Sequence, residues 1–475
     1  MKYIATIGLE VHVQLCTKSK MFCGCSTDFG ASPNTHICPV CLGYPGAMPS
    51  ANKEAVRLTV MTGLMIGSKI SSFSKFDRKS YFYPDMPKNY QISQYDKPLC
   101  VGGIVEINIE GVRRPVHVTR IHLEEDVAKN MHFKEMSGID FNRAGVPLME
   151  IVSEPDLASP EEAFAYLVAL KQILQYAGVS NCNLEEGNIR CDVNCSIRPE
   201  GQEKLGTKTE LKNLNTFKGV LNALKYEIPR QISVVEGGGK IIQETRRWDM
   251  DTGVTTSMRT KEYAHDYRYF PEPDLLPIVF ADEQILEWKS RLPEMPVARR
   301  DRFISQYGLP EYDAGVLVAD KAVSHYFEEV VGLCGRPKAA SNWIMTEMLR
   351  MLSESEREIT SVLISPRGLA DLVILADDGI INSNTAKAIF AELFVKGGDP
   401  IAIVKDRNLA QVSDSGIING FVDQAINENP KSVADFIGGK DVASKFLVGQ
   451  VMKLSKGKAD PKLVLDLIVT KLRSR

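Results

Sequence analysis

The chain has 475 residues, with 57 Lys and Arg against 60 Asp and Glu and a formal net charge of -3. At about 150 residues per domain this length predicts about three domains, each with enough chain for its own core. A hydrophobic fraction of 44% with 25% charged residues excludes a disordered or collagen-like chain, no apolar run approaches the roughly 18 residues of a membrane span, and the near-neutral balance leaves any nucleic-acid contact to a local basic patch.

The first residues, Met1-Lys2-Tyr3-Ile4-Ala5-Thr6, move directly into strand-like alternation without the apolar core of a signal peptide, so a cytoplasmic chain is expected. Ile7, Leu9, Val11, Val13 and Leu15 alternate with Gly8, Glu10, His12 and Gln14, which predicts a strand with one polar face. Next come Cys23-Gly-Cys25 and, twelve residues on, Cys38-Pro-Val-Cys41. Two short-spaced pairs joined by a loop can set four thiolates around a structural zinc; the alternative is four reduced thiols in a glycine-rich loop. The other cysteines, Cys16, Cys100, Cys182, Cys191, Cys195 and Cys334, lack such pairing and read as core thiols in a reducing compartment.

Further along, Glu124, Glu125 and Asp126 follow Ile121-His122-Leu123, and alternation places Glu125 with the apolar face. Residues 146–152 read as a strand buried on both faces that carries Glu150, a carboxylate costly to bury without a cation. Ser159-Pro160-Glu161-Glu162 predicts a helix start with a capping box, ending near Gly178. The cleanest period-2 pattern is at 188–198, with Arg190, Asp192 and Asn194 on its polar face. If residues 207–214 are extended, Lys208, Glu210 and Lys212 share a face. These charges suit either a solvated, salt-bridged sheet or a Mg²⁺ and nucleotide site. A Walker loop is absent, because Gly237-Gly238-Gly239-Lys240 runs into Ile241; that stretch reads as a turn from helix to strand.

Residues 281–475 read as almost wholly helical, with starts at Ser365-Pro366 and Asp460-Pro461 and breaks at Lys396–Pro400 and Ser413–Gly416. A linker is placed at 405–416. The tail from 441 carries Lys445, Lys453, Lys456, Lys458, Lys462, Lys471, Arg473 and Arg475 against Asp441, Asp460 and Asp466. On charge alone this is equally a phosphate-binding surface or a solvated helical one.

Several of these segments resemble the B-subunit family (GatB) of the aspartyl/glutamyl-tRNA amidotransferases. They are Ile7–His12, Arg78–Lys88, Asp140–Pro155, Arg190–Asn194, Thr207–Asn213 and Ala264–Asp274, and the resemblance runs essentially end to end. It implies an α+β chain with a glutamine-synthetase-like antiparallel-sheet cradle domain at 1–290, an all-helical domain at 291–407 and a small YqeY-like, tRNA-binding helical tail at 408–475. The implied reaction is ATP-dependent phosphorylation and then amidation of Glu-tRNA(Gln) or Asp-tRNA(Asn). By the same resemblance Glu10, His12, Glu125 and Glu150 hold Mg²⁺, although His12 could instead orient Glu10. Asp192 and Glu210, with Arg190 and Asn194, face the nucleotide, and Lys79, Arg190 and Lys212 act on phosphate or the transition state. Cys23, Cys25, Cys38 and Cys41 would hold Zn²⁺.

Ammonia has to come from elsewhere, since none of the Gly-Gly pairs leads into serine and Cys334 lacks a nucleophile context. The resemblance supplies an amidase subunit (GatA) and a small subunit (GatC) in a heterotrimer, and no membrane. Two other readings fit the residues: a free-standing ligase of the glutamine-synthetase type, and a non-catalytic zinc-containing RNA-binding subunit.

Overall fold

The computed structural model describes residues 2–260, 267–411, 415–437, 440, 442–455 and 459–473. The expected motif residues Ala264, His265 and Asp266, the break residues Ser413 and Asp414, and the tail residues Asp441, Lys456, Lys458 and Arg475 lie outside them. The chain divides into two compact units, Met1–Pro296 and Val297–Arg475.

The first unit is built on a ten-stranded sheet. Its central strand, Tyr3–Gln14, lies between Ile189–Pro199 and Pro147–Ser153. Beyond Ile189–Pro199 come Thr209–Lys212, Glu244–Asp249 and Val254–Thr260; beyond Pro147–Ser153 come Val112–Glu125, Cys100–Val101 and Lys69–Ile70. The strand Ile104–Ile109 forms a hairpin with Val112–Glu125. All pairs are antiparallel except Thr209–Lys212 with Glu244–Asp249. That exception follows from the 20-residue helix Phe217–Glu236 between them, because parallel neighbours need a crossover long enough to return the chain.

Alternation gives this sheet two unlike faces. Ile7, Leu9, Val11 and Val13 are at most 1% exposed, and Val193, Met149, Ile151, Ile121 and Leu123 are fully buried with them. The helices Pro160–Tyr176 and Phe217–Glu236 pack on each other, and the second also packs on Ile189–Pro199. The opposite face carries Glu10, His12, Arg190, Asp192 and Asn194. Burying the apolar face stabilises the sheet by about 1.5–3 kcal/mol for each large side chain.

Local signals act where the residues put them. Ser159 accepts from the Glu162 amide at 3.1 Å, and Gly178 takes the left-handed φ of +64 just beyond Tyr176. The capping box is displaced by one residue, however. The Glu162 carboxylate accepts from the Ala158 amide at 2.8 Å, not from Ser159, and also pairs with Arg114 of the hairpin.

In the second unit Ser365 and Asp460 cap the helices Pro366–Asp377 and Pro461–Arg473. Gly397, at φ +68, ends the helix Ser383–Lys396. Ser415 and Gly416, expected in a break, already begin the helix Ser415–Glu428. Ile418, Val422, Leu447, Val451, Val464 and Ile468 form one apolar cluster along the final helices. Among the described residues no helix is long and apolar enough to cross a membrane.

Gly63, inside the helix Lys53–Met65, lies against the buried Cys100; an added Cβ would sit 2.5 Å from the Cys100 sulfur. Gly63→Ala should lower first-unit stability by about 1–2 kcal/mol, overpacking outweighing the helix-propensity gain. Adding Cys100→Ala should recover most of the loss in calorimetric melting. A Gly63→Ala chain as stable as the parent would contradict this packing.

Candidate functional site

The strand register assembles the polar face into rows. Glu150 sits opposite His122 on one neighbour and His12 on the other, and His12 sits opposite Arg190. Glu124, two residues beyond His122, shares that face. The His12 Nε2 lies 3.4 Å from Glu150 and 3.7 Å from Glu124; the His122 Nε2 lies 3.4 Å and 3.8 Å from the same two carboxylates.

Charge explains the cluster's protonation. Burial pushes the His12 imidazole down, but its bond to Glu150 and the charges of Glu150 and Glu124 outweigh this and hold it above its usual range. Burial acts the same way on His122, and the Glu150 charge with bonds to both carboxylates brings it up to about 9. Burial acts to raise Glu124 and Glu150, yet the imidazoles draw both below the usual carboxylate range. Two adjacent buried carboxylates require positive charge beside them.

One imidazole nitrogen and two carboxylate oxygens of His12, Glu124 and Glu150 lie within 4.8 Å of one another. Such a set fits a divalent cation that favours oxygen donors, which would take over the neutralising role of the imidazolium protons. Lys79 approaches the same cluster. Burial lowers its pKa, but the Glu124 and Glu150 charges raise it overall, and its ammonium lies 4.9 Å from the centre of the Tyr267 ring.

Glu125 is placed elsewhere. It follows Ile121 and Leu123 onto the apolar side, where the Lys88 ammonium donates to it at 2.5 and 2.6 Å and the Ile92 amide at 2.9 Å. The gathered set therefore contains Glu124 where Glu125 was expected, for a steric reason: adjacent strand residues point to opposite faces. Glu10 lies on the correct face but outside the three-residue group, accepting from Asn194 at 2.9 Å.

The remaining expected residues extend the face. Glu10 pairs across strands with Asp192, and Asn194 with Glu210. Lys212 bridges Asp192 and, at 3.3 Å, Glu210, which also accepts from the Thr245 hydroxyl at 2.8 Å. Burial lowers the Lys212 pKa, and the Asp192 and Glu210 charges reverse this. Arg190 donates to Asp126 at 2.8 Å, a carboxylate that also accepts from Gln14 at 2.8 Å. His122, Glu124 and Asp126 were not among the residues expected at this site. Alternation with Ile121 and Leu123 carried the signal for the first two.

Cys23, Cys25, Cys38 and Cys41 also converge, with their sulfurs within 4.8 Å of one another. The Lys20 ammonium, fully buried, lies 3.7 Å from the Cys41 sulfur. A bond from Cys23, against the opposing effect of burial and with help from Lys20, brings the Cys41 thiol down to about 4. Burial pushes Cys25 up to about 11. Four gathered thiols beside the Lys20 ammonium match the donor set of a structural zinc, and the cluster could bind one.

The family model described as the GatB/GatE catalytic domain matches residues 5–286, and the one described as the GatB domain matches residues 325–472. A protein of Thermodesulfovibrio yellowstonii, named as the B subunit of aspartyl/glutamyl-tRNA(Asn/Gln) amidotransferase, is 54% identical over 469 residues, covering 98% of this chain and 99% of its own. Proteins of the same name from Caldicellulosiruptor saccharolyticus and Carboxydothermus hydrogenoformans are 53% and 50% identical, each covering at least 98% of both chains. With matches of this extent over both units, the chain belongs to the B-subunit (GatB) family of the aspartyl/glutamyl-tRNA(Asn/Gln) amidotransferases.

Proposed function

We propose that this chain carries out the ATP-dependent amidation of Glu-tRNA(Gln) or Asp-tRNA(Asn). The observation that carries this reading is the single polar sheet face on which His12, Glu124 and Glu150 adjoin Lys79, and Glu10, Asp192 and Glu210 adjoin Lys212. A carboxylate does not expel oxide, so its oxygen first attacks the γ-phosphorus of ATP, ADP departs, and ammonia then displaces phosphate from the acyl carbon. Both reactants are anionic, which is why cations must line the path. When bound at His12, Glu124 and Glu150, with Glu10 beside them, Mg²⁺ supplies charge neutralisation for the phosphates. Asp192, Asn194 and Glu210 form the nucleotide end of the face. Arg190, Lys79 and Lys212 are oriented by Asp126, by Tyr267 and the carboxylates, and by Asp192 respectively.

The cradle then comprises residues 1–290, followed by a helical domain at 291–407 and a tail at 408–475. Ammonia reaches this site uncharged from an amidase subunit (GatA), braced by a small subunit (GatC). Zinc at Cys23, Cys25, Cys38 and Cys41 fixes the loop that precedes the first helix.

The site assignment is tested by amidation of charged tRNA with free ammonium across a magnesium titration. Glu124→Ala and Glu150→Ala should each lose about 100-fold or more in rate and need more magnesium. Glu125→Ala should instead lose stability, by about 3 kcal/mol, because the partly buried Lys88 loses its partner. Near-parental rates in both Glu124→Ala and Glu150→Ala would leave an RNA-binding subunit in place of a catalyst.

Elemental analysis of the purified chain should find about one zinc per chain, abolished in Cys41→Ser. A metal-free wild type of full stability would remove zinc from the fold.

The tail's exposed Lys445, Lys453 and Lys462 should supply phosphate contacts, whereas Lys471 is engaged with Asp423 at 2.6 Å. Replacing those three with alanine should weaken tRNA binding and reduce the log–log salt slope by about 2–3. An unchanged slope would place the grip elsewhere.

A further inference from the structure

The helical unit holds a cavity of about 320 Å³ that the reaction above does not use. It opens between the helix Pro337–Trp343, its continuation Ile344–Met348, the helix Pro366–Asp377 and the start of Ser383–Lys396. Its size falls in the range of small-ligand sites, about 300–1,000 Å³. A second feature coincides with it. Residues 344–348 form a π-helical turn between two α-helical segments, a rare arrangement found frequently at functional sites. Asn342, Trp343, Thr346 and Glu347, from this turn and the residues just before it, all line the cavity. Trp343 is fixed at the wall by stacking on Phe390, with ring centres 5.7 Å apart.

The electrostatics narrow the occupant. Glu347 is already paired with Lys387 at 2.8 Å and Arg350 at 3.1 Å, and Asp377 with Arg336 at 3.0 Å. A phosphate would face two carboxylates, and a cation would have to displace basic side chains already in place. A flat, uncharged heterocycle with donors and acceptors on its edge meets neither obstacle. It could lie against the indole while its edge meets the exposed Asn342 amide and the Ser383 hydroxyl. We propose that this cavity binds a nucleobase. Its source rests on the tRNA reading above: an unpaired base of the bound tRNA, whose face and edge are free. A free nucleotide is the other source of the same chemistry.

The test uses the full chain, labelled substrate tRNA and a salt series. Asn342→Ala and Trp343→Leu should each weaken tRNA binding by about five-fold or more, by the same factor at every salt concentration, because an uncharged contact releases no counterions. Ser383→Ala, exposed and away from the Trp343–Phe390 stack, guards against a folding defect in Trp343→Leu. Wild-type affinity in Asn342→Ala and Ser383→Ala, or a loss accompanied by a changed salt slope, overturns the proposal. In parallel, nucleoside monophosphates are titrated while tryptophan fluorescence is followed. Saturable quenching that disappears in Trp343→Leu supports the cavity as a free-nucleotide site. If the wild type binds no tRNA, the tRNA reading fails separately, and absence of quenching then overturns the nucleobase site as well.

Discussion

Two glutamates, Glu124 and Glu150, are held side by side on a sheet whose reverse face is the hydrophobic core, and they stay ionised because imidazoles and a lysine stand over them. Removing a carboxylate from water costs several kcal/mol unless opposite charge accompanies it. His12 and His122 provide that charge within 3.4–3.8 Å, and Lys79 adds to it. The whole polar face follows from this requirement. These acids have cationic or hydrogen-bonding partners from other segments of the sheet: Asp126 with Arg190, Asp192 with Lys212, Glu10 with Asn194. Under the proposed function, this pairing of acids with cations is what phosphoryl transfer to a carboxylate, with anions bridged by a divalent cation, would demand.

Rigidity comes from the other side. The strands Tyr3–Gln14 and Ile189–Pro199 pair over eleven residues without a register shift, and both bury their alternate side chains. A slip of one residue would send Leu9 and Val11 into water and Glu10 and His12 into the core. The geometry of the candidate site and the hydrophobic core are therefore one constraint read from two faces. The cysteine cluster repeats the logic on a smaller scale, with the Lys20 ammonium 3.7 Å from the Cys41 sulfur, a charge that favours an ionised thiol.

Much of this is legible in the order of the residues. Alternation at 7–15 and 188–198 marks the two central strands and the polar residues that face the site. The cysteine spacing marks a cluster that does converge, and Ser159, Ser365 and Asp460 mark helix starts that form as read. Other features have no local signature. Arg190 meets Asp126 across 64 residues of chain, and the π turn at 344–348 lies in a segment whose residues read as ordinary helix. The parallel pair of strands depends on where a long helix delivers the chain.

The periodicities, the caps, the spacing of the thiols and the family are all properties of the linear chain, because each depends on neighbours a few residues apart or on motifs read in line. Which carboxylates meet is not such a property. The family resemblance pointed to Glu125, while alternation with Ile121 and Leu123 had already set Glu125 on the apolar side. Strand pairing then brought Glu124, not Glu125, to Glu150 and His12, and gave Glu125 to Lys88. The physical reason is that a side chain's face is a local property, whereas its partner across the sheet is fixed by register between strands distant in sequence.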